Sequence, residues 1–148
     1  MELERDFREH LGQVVSPETV LFVMDGDCAL CSRSARIIAR FDHANRCRIV
    51  TLQSDLGQKI LAQVGVDGSD PSTWVMIEKD RAYFDADAIL KAVRHLGVLR
   101  YLVAPLRVLP KNWRRTIYEM IARNRYRLFG QKELCAIPSP ALQERIIS

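Results

Sequence analysis

No stretch of about eighteen consecutive apolar residues occurs in the chain, so no segment is expected to cross a membrane as a helix. The first nineteen residues carry Glu2, Glu4, Arg5, Asp6, Arg8 and Glu9 and lack the apolar core of a secretory signal, so a cytoplasmic location is the expectation. Cysteine is scarce: four in 148 residues do not make a disulfide scaffold. Two of the four, Cys47 and Cys135, stand far apart and alone, and His10, His43 and His95 have no partner at ligand spacing. A structural zinc site is therefore missing its second half, and no metal is expected. There is no phosphate-binding glycine loop, and no organic cofactor is expected.

What is present is the composition of an ordinary globular domain, 48% apolar and 27% charged, long enough to bury a proper core as one unit. The net charge of +4 is unevenly spread. Residues 1 to 99 hold 12 Lys/Arg against 15 Asp/Glu, whereas residues 100 to 132 hold nine Lys/Arg against the single Glu119. The basic character belongs to the C-terminal segment, although no groove-reading motif accompanies it and no specific nucleic-acid binding is expected.

Chemistry concentrates in one stretch. Val20 to Met24 is a short apolar run of strand type, Asp25-Gly26-Asp27 is a turn, and from Leu30 the apolar residues recur at helical period as far as Phe41. Cys28 and Cys31 thus fall on the first turn of a helix. Unpaired amides and the positive end of the helix dipole favour thiolate there, and thiolate is the nucleophile in disulfide exchange. Cys28, nearer the loop, is the expected exposed attacking thiol, and Cys31, one turn on, the resolving one. Asp27 beside Cys28 is expected to oppose the thiolate in part. Asp25 is expected either to orient the loop by accepting backbone hydrogen bonds or to relay a proton at Cys31. Spacing alone also admits half of a zinc site or inert core cysteines.

The remaining elements follow in order. Residues 1 to 14 can form an amphipathic helix with Leu3, Phe7 and Leu11 on one side. Arg46 to Leu52 is a second strand, with Cys47 as a small core residue, and Gln53 to Val64 a helix stopped by Gly65. Thr73 to Glu78, the turn Lys79-Asp80 and Arg81 to Phe84 form a hairpin, after which Asp85 can cap a helix running to Leu96. This is a βαβαββα order. Arg100 to Pro110, with Pro105 and Pro110, is expected to be a broken helix. Asn112 can cap a final helix whose apolar residues Trp113, Ile117, Met120, Ile121 and Leu128 should face the core, with arginines over the rest. The tail after Gly130 is expected to be loosely held.

Asp25, Cys28 and Cys31 in D-G-D-C-A-L-C after an apolar strand resemble the DCC family of thiol-disulfide oxidoreductases. Leu109-Pro110-Lys111, Tyr118, the run Ala122 to Gly130 and Cys135 look like the family's C-terminal signature, so that the likeness spans about residues 20 to 138. The resemblance implies an α/β, thioredoxin-like fold with a core over 15–98 and a basic helical extension over 99–148, in one domain. It implies a protein or small-molecule partner bearing a thiol or disulfide. In thioredoxin-like enzymes a cis-proline faces the dithiol, and Pro71 is the candidate here, one residue further from the third strand than that pattern places it. Because Arg125 falls inside the signature, part of the last helix is expected to fold back toward the Cys28 loop. Asp27, Pro71, Arg123 and Arg125 are the expected substrate-binding positions. The alternative is a non-catalytic binding module that uses the arginine-rich helix as its interface, with anionic membrane surfaces among the contacts that such a helix could make.

Overall fold

The computed structural model of the chain describes residues 12, 16–67, 74–79, 81–130 and 140–147. The expected N-terminal helix, Pro71 and Cys135 lie outside the described residues. Strand β1, Val20–Met24, is buried along its whole length and forms the centre of the sheet. Its successive side chains alternate between two cores. Val20, Phe22 and Met24 enter one with Ala35, Ile38 and Ile49, while Leu21 and Val23 enter the other with Val50, Ile60 and Leu61. Covered on both faces, a strand must be apolar throughout, which is why this run reads as continuous rather than alternating.

Helix α1, Ala29–Phe41, leads to β2, Cys47–Thr51, which pairs parallel with β1 so that Val20 faces Cys47 and Met24 faces Thr51. Helix α2, Asp55–Gln63, begins at a Ser54 cap whose hydroxyl accepts the Gly57 amide at 3.1 Å. Gly57 cannot be replaced cheaply, because a Cβ there would lie 2.1 Å from the Thr51 carbonyl oxygen. Strands β3, Val75–Glu78, and β4, Arg81–Phe84, form the expected hairpin, with Lys79 at φ +47° in its turn. The sheet runs β4-β3-β1-β2, with β3 antiparallel to β1. The expected thioredoxin-like βαβαββα order is therefore the observed one. Helix α3, Asp85–Ala92, differs in its start: Asp85 is its first residue at φ +52°, donating its amide to the Trp74 carbonyl, rather than a cap ahead of it. Aspartate tolerates that left-handed conformation better than most residues.

Beyond Gly97 the chain makes the expected broken helix, α4 at Leu99–Val103 followed by a 3₁₀ turn at Ala104–Arg107. Helix α5, Lys111–Phe129, starts after Pro110, two residues before the expected Trp113. Its orientation overturns the sequence expectation. Trp113, Ile117, Met120 and Leu128 are exposed, and Arg125 is the one residue of the helix that is fully buried. Tyr118, Ile121, Ala122 and Arg125 form the inward side. At about 3.6 residues per turn the chain offers two apolar stripes, and the buried pairing available to Arg125 settles which of them turns inward.

The tail contradicts expectation as well. Helix α6, Pro140–Gln143, buries Leu142, and β5, Ile146–Ile147, adds a fifth strand parallel to β2. Arg145 holds this segment in place. Its guanidinium donates to Asp42 Oδ2 at 3.4 Å, to the Asp42 carbonyl at 3.1 Å and to the Ala141 carbonyl at 2.6 Å.

Candidate active site

The dithiol sits where β1 gives way to α1. Asp25 and Gly26 are buried directly after the strand, and the Gly26 amide donates to Gln53 Oε1 at 3.0 Å, which ties the turn to the end of β2. Cys28 is the N-cap residue of α1 in extended conformation, with its carbonyl accepting the Ser32 amide at 2.9 Å. Ala29, the first helical residue, donates its amide to the Gly130 carbonyl at 3.3 Å, so the end of α5 touches the start of α1. The expected exposure of Cys28 is corrected: its relative accessibility is 0%, against 7% for Cys31. The β1–α1 turn is roofed rather than open, in part by the returning α5.

Both thiols are free, and they titrate in opposite directions. Cys28 is held down at about 6, chiefly because the Cys31 S–H donates to its sulfur. Burial works against this, while the Cys31 amide, the Arg125 charge and the Leu30 amide add to it. Cys31 is pushed far upward by the same shared hydrogen bond, by burial and by the negative charge on Cys28. Short of a full capping hydrogen bond, the amides of the first turn act on the sulfur as they do on any anion at a helix N-terminus. Cys47, by contrast, is pushed up to about 12 by burial and by Asp42, and it stays an inert core thiol.

Asp25 is the hub behind the pair. At 1% exposure its carboxylate needs every lone pair satisfied. Oδ1 accepts the Asp27 amide at 3.0 Å and Gln53 Nε2 at 2.8 Å, and Oδ2 accepts Arg125 Nη2 at 2.8 Å and the Tyr126 hydroxyl. The loop-orienting geometry expected for Asp25 is present in the Asp27 contact. Arg125, itself 5% exposed, arrives from a hundred positions downstream, as the expected folding back of α5 requires. Buried, this ion pair leaves a positive charge close enough to lower Cys28.

Of the other expected positions, Asp27 is exposed and turned toward Gln53 Nε2 at 3.4 Å. Arg123 is separated from Arg125: two residues apart on a helix means about 200° of rotation, and Arg123 is exposed to solvent. Gln53 and Tyr126 were not singled out as site residues. Tyr126 stands within the run Ala122 to Gly130 and could have been found there, whereas Gln53 has no signal beyond following a strand. Beside the pair lies an apolar cavity of about 270 Å³ whose lining includes Leu30, Cys31, Trp74, Tyr118, Ala122 and Arg125. Arg125 Nε is buried and has no hydrogen-bond partner among the described residues.

A thioredoxin-like sheet that presents two coupled thiols on the first turn of the helix after its central strand defines a dithiol protein of the thioredoxin-like class. More narrowly, the chain belongs to the DCC1-like thiol-disulfide oxidoreductase family, whose model matches residues 22–131. It is 36% identical to the protein YuxK of Bacillus subtilis (strain 168) over 132 residues, covering 88% of this chain and 95% of that one. It is 31% identical over 118 residues to a DCC family protein of Arabidopsis thaliana described as chloroplastic, covering 79% of this chain and 69% of the relative. No solved structure matches the chain at a significant level. Among the described residues no helix is long and apolar enough to cross a membrane.

Proposed function

We propose that the protein exchanges thiols and disulfides through Cys28 and Cys31, with Cys28 as nucleophile and Cys31 as resolving thiol. The observation that carries this reading is the placement of two free thiols at the start of α1 with the buried Arg125–Asp25 pair behind them, where a hydrogen bond from Cys31 to the Cys28 sulfur lowers one pKa to about 6 and raises the other. At neutral pH Cys28 is then largely thiolate, ready to attack a substrate disulfide. Attack forms a bond from Cys28 sulfur to one substrate sulfur and expels the other as a thiolate. Cys31 then attacks Cys28, giving the Cys28–Cys31 disulfide and releasing the second substrate thiol. The two electrons lost by the protein dithiol equal those gained by the substrate. Run backward, the same steps oxidise a substrate dithiol.

Asp25 acts as a positioning residue, fixing the turn and Arg125 rather than touching sulfur. Arg125 stabilises the thiolate by charge, and it lines the apolar cavity beside the pair. The substrate is a protein or small molecule bearing a thiol or disulfide, and the setting we propose is the cytoplasm, where such a pair cycles instead of remaining a structural bridge.

The test is equilibration in graded glutathione buffers with trapping of free thiols and mass spectrometry. A reversible two-electron couple between Cys28 and Cys31, in the range of roughly −270 to −120 mV covered by working oxidoreductases, is the expected result. Absence of a Cys28–Cys31 disulfide in every buffer would refute the reading.

A further inference from the structure

The exposed face of the C-terminal extension is unlike the rest of the surface. In α5, Trp113, Ile117, Met120 and Leu128 follow one another at spacings of four, three and eight, and so lie on one stripe turned away from the core. Trp113 is 67% exposed. Just before the helix, Tyr101, Leu102 and Val108 are exposed too, Val108 at 86%. The two segments are neighbours in space as well as in sequence, since Val103 and Leu106 share a groove with Ile117 and Ile121. Scattered exposed apolar side chains are ordinary; this many along one segment mark a contact surface.

What covers it is indicated by charge. Residues 100 to 132 contain nine basic residues and one acidic one, Glu119, which is already paired with Arg115 at 2.7 Å. Arg100, Arg123 and Arg127 are exposed among or beside the apolar residues. A second copy of the chain docked face to face would bring these like charges together. Nucleic acid would satisfy the charges and leave the tryptophan and leucines without a partner. An anionic lipid surface satisfies both: phosphate headgroups meet the arginines, and tryptophan and aliphatic side chains enter the headgroup–acyl boundary.

We infer that the exposed face of residues 101–128 docks the protein peripherally onto anionic membranes through Leu102, Val108, Trp113 and Met120, flanked by Arg123 and Arg127. No segment spans the bilayer in this arrangement. The dithiol chemistry plays no part in it, so the inference stands or falls apart from the redox reading.

The test is co-sedimentation of the full chain with vesicles of phosphatidylcholine alone and of phosphatidylcholine mixed with phosphatidylglycerol. Binding to the mixed vesicles is expected to be at least about tenfold tighter than to the neutral ones, the gain from a few basic side chains at an anionic surface, and to weaken as salt rises. Val108→Asp with Trp113→Asp should abolish it, while the variant still forms the Cys28–Cys31 disulfide in glutathione buffer and unfolds at an unchanged urea midpoint. Equal binding to both vesicle types, no binding to either, or retention of binding by the double variant would overturn the inference. So would a concentration-dependent dimer that the double variant dissociates in the absence of any vesicle binding, because the face would then belong to a second copy.

Discussion

Two buried aspartate–arginine pairs pin the C-terminal extension to the core, and they do different things. At one end of α1, Asp25 holds Arg125 from α5 at 2.8 Å; at the other, Asp42 holds Arg145 from the segment before β5 at 3.4 Å. The partners are a hundred positions apart in the first pair and slightly more in the second, and all four side chains are almost fully buried. Asp42 also accepts the amides of Arg46 and Cys47 at 3.2 and 2.9 Å, so the neighbouring thiol, already raised by burial, feels a carboxylate and is pushed further upward. Cys28 is pulled downward, chiefly by the hydrogen bond from Cys31, with the Arg125 charge adding to it. The two pairs thus add opposite contributions, Asp42 favouring the thiol at Cys47 and Arg125 the thiolate at Cys28. Burial raises both thiols; what separates them is the hydrogen bond from Cys31 and the added Arg125 charge at Cys28, against the Asp42 carboxylate at Cys47.

The largest expected effects break each pair in turn. Arg125→Ala and Arg145→Ala each leave a buried carboxylate without its cation, at a cost of about 3–5 kcal/mol in unfolding free energy, measurable as lowered urea midpoints. Only Arg125→Ala should also raise the Cys28 pKa, since Arg125 contributes to the lowering and Arg145 does not. Arg125→Lys sharpens the point: the charge remains, so the Cys28 titration should stay near its wild-type position, while the loss of guanidinium geometry at Asp25 still reduces stability.

Smaller effects separate charge from hydrogen bonding. Tyr126→Phe removes a hydroxyl from Asp25 Oδ2, and is expected to reduce stability by about 1–3 kcal/mol with little change in thiol reactivity, since Arg125 still compensates the carboxylate. Cys31→Ser is expected to leave stability nearly unchanged. It should leave the Cys28 pKa depressed, because a serine hydroxyl, a stronger donor than S–H, can supply the hydrogen bond that does most of the lowering. An alkylation rate measured against pH reads both variants. For Cys28 the sign is that of a depressed acid: reactivity is expected to be present above about 6 and to be lost as pH falls through that value.

These contrasts also explain what could be read from the chain alone. Val20 to Met24 and the α1 period declare a strand and a helix without help, because burial on both sheet faces demands unbroken apolar character and one-sided burial demands period. The C-x-x-C position on the first helical turn follows directly. Helix α5 is the counterexample. Its apolar residues Trp113, Ile117, Met120 and Leu128 suggest a core face, yet the buried side is chosen by Arg125 reaching Asp25, a contact between distant residues that no local pattern encodes. Likewise Arg145 and β5 depend on a partner at Asp42, and the tail read by itself contains little more than two isoleucines to suggest order. The burial of Cys28 was missed for the same reason: what covers it comes from elsewhere in the chain.

The most direct test of this account is the pH dependence of Cys28 alkylation by iodoacetamide, followed by mass spectrometry in wild type, Arg125→Ala and Arg145→Ala, all below their unfolding midpoints. A wild-type midpoint near 6 that moves upward in Arg125→Ala and stays in place in Arg145→Ala is the expected result. A wild-type midpoint near 9, the ordinary value for this thiol, or an equal shift in both variants, would contradict the claim that Arg125 reaches across the fold to help hold the Cys28 pKa down.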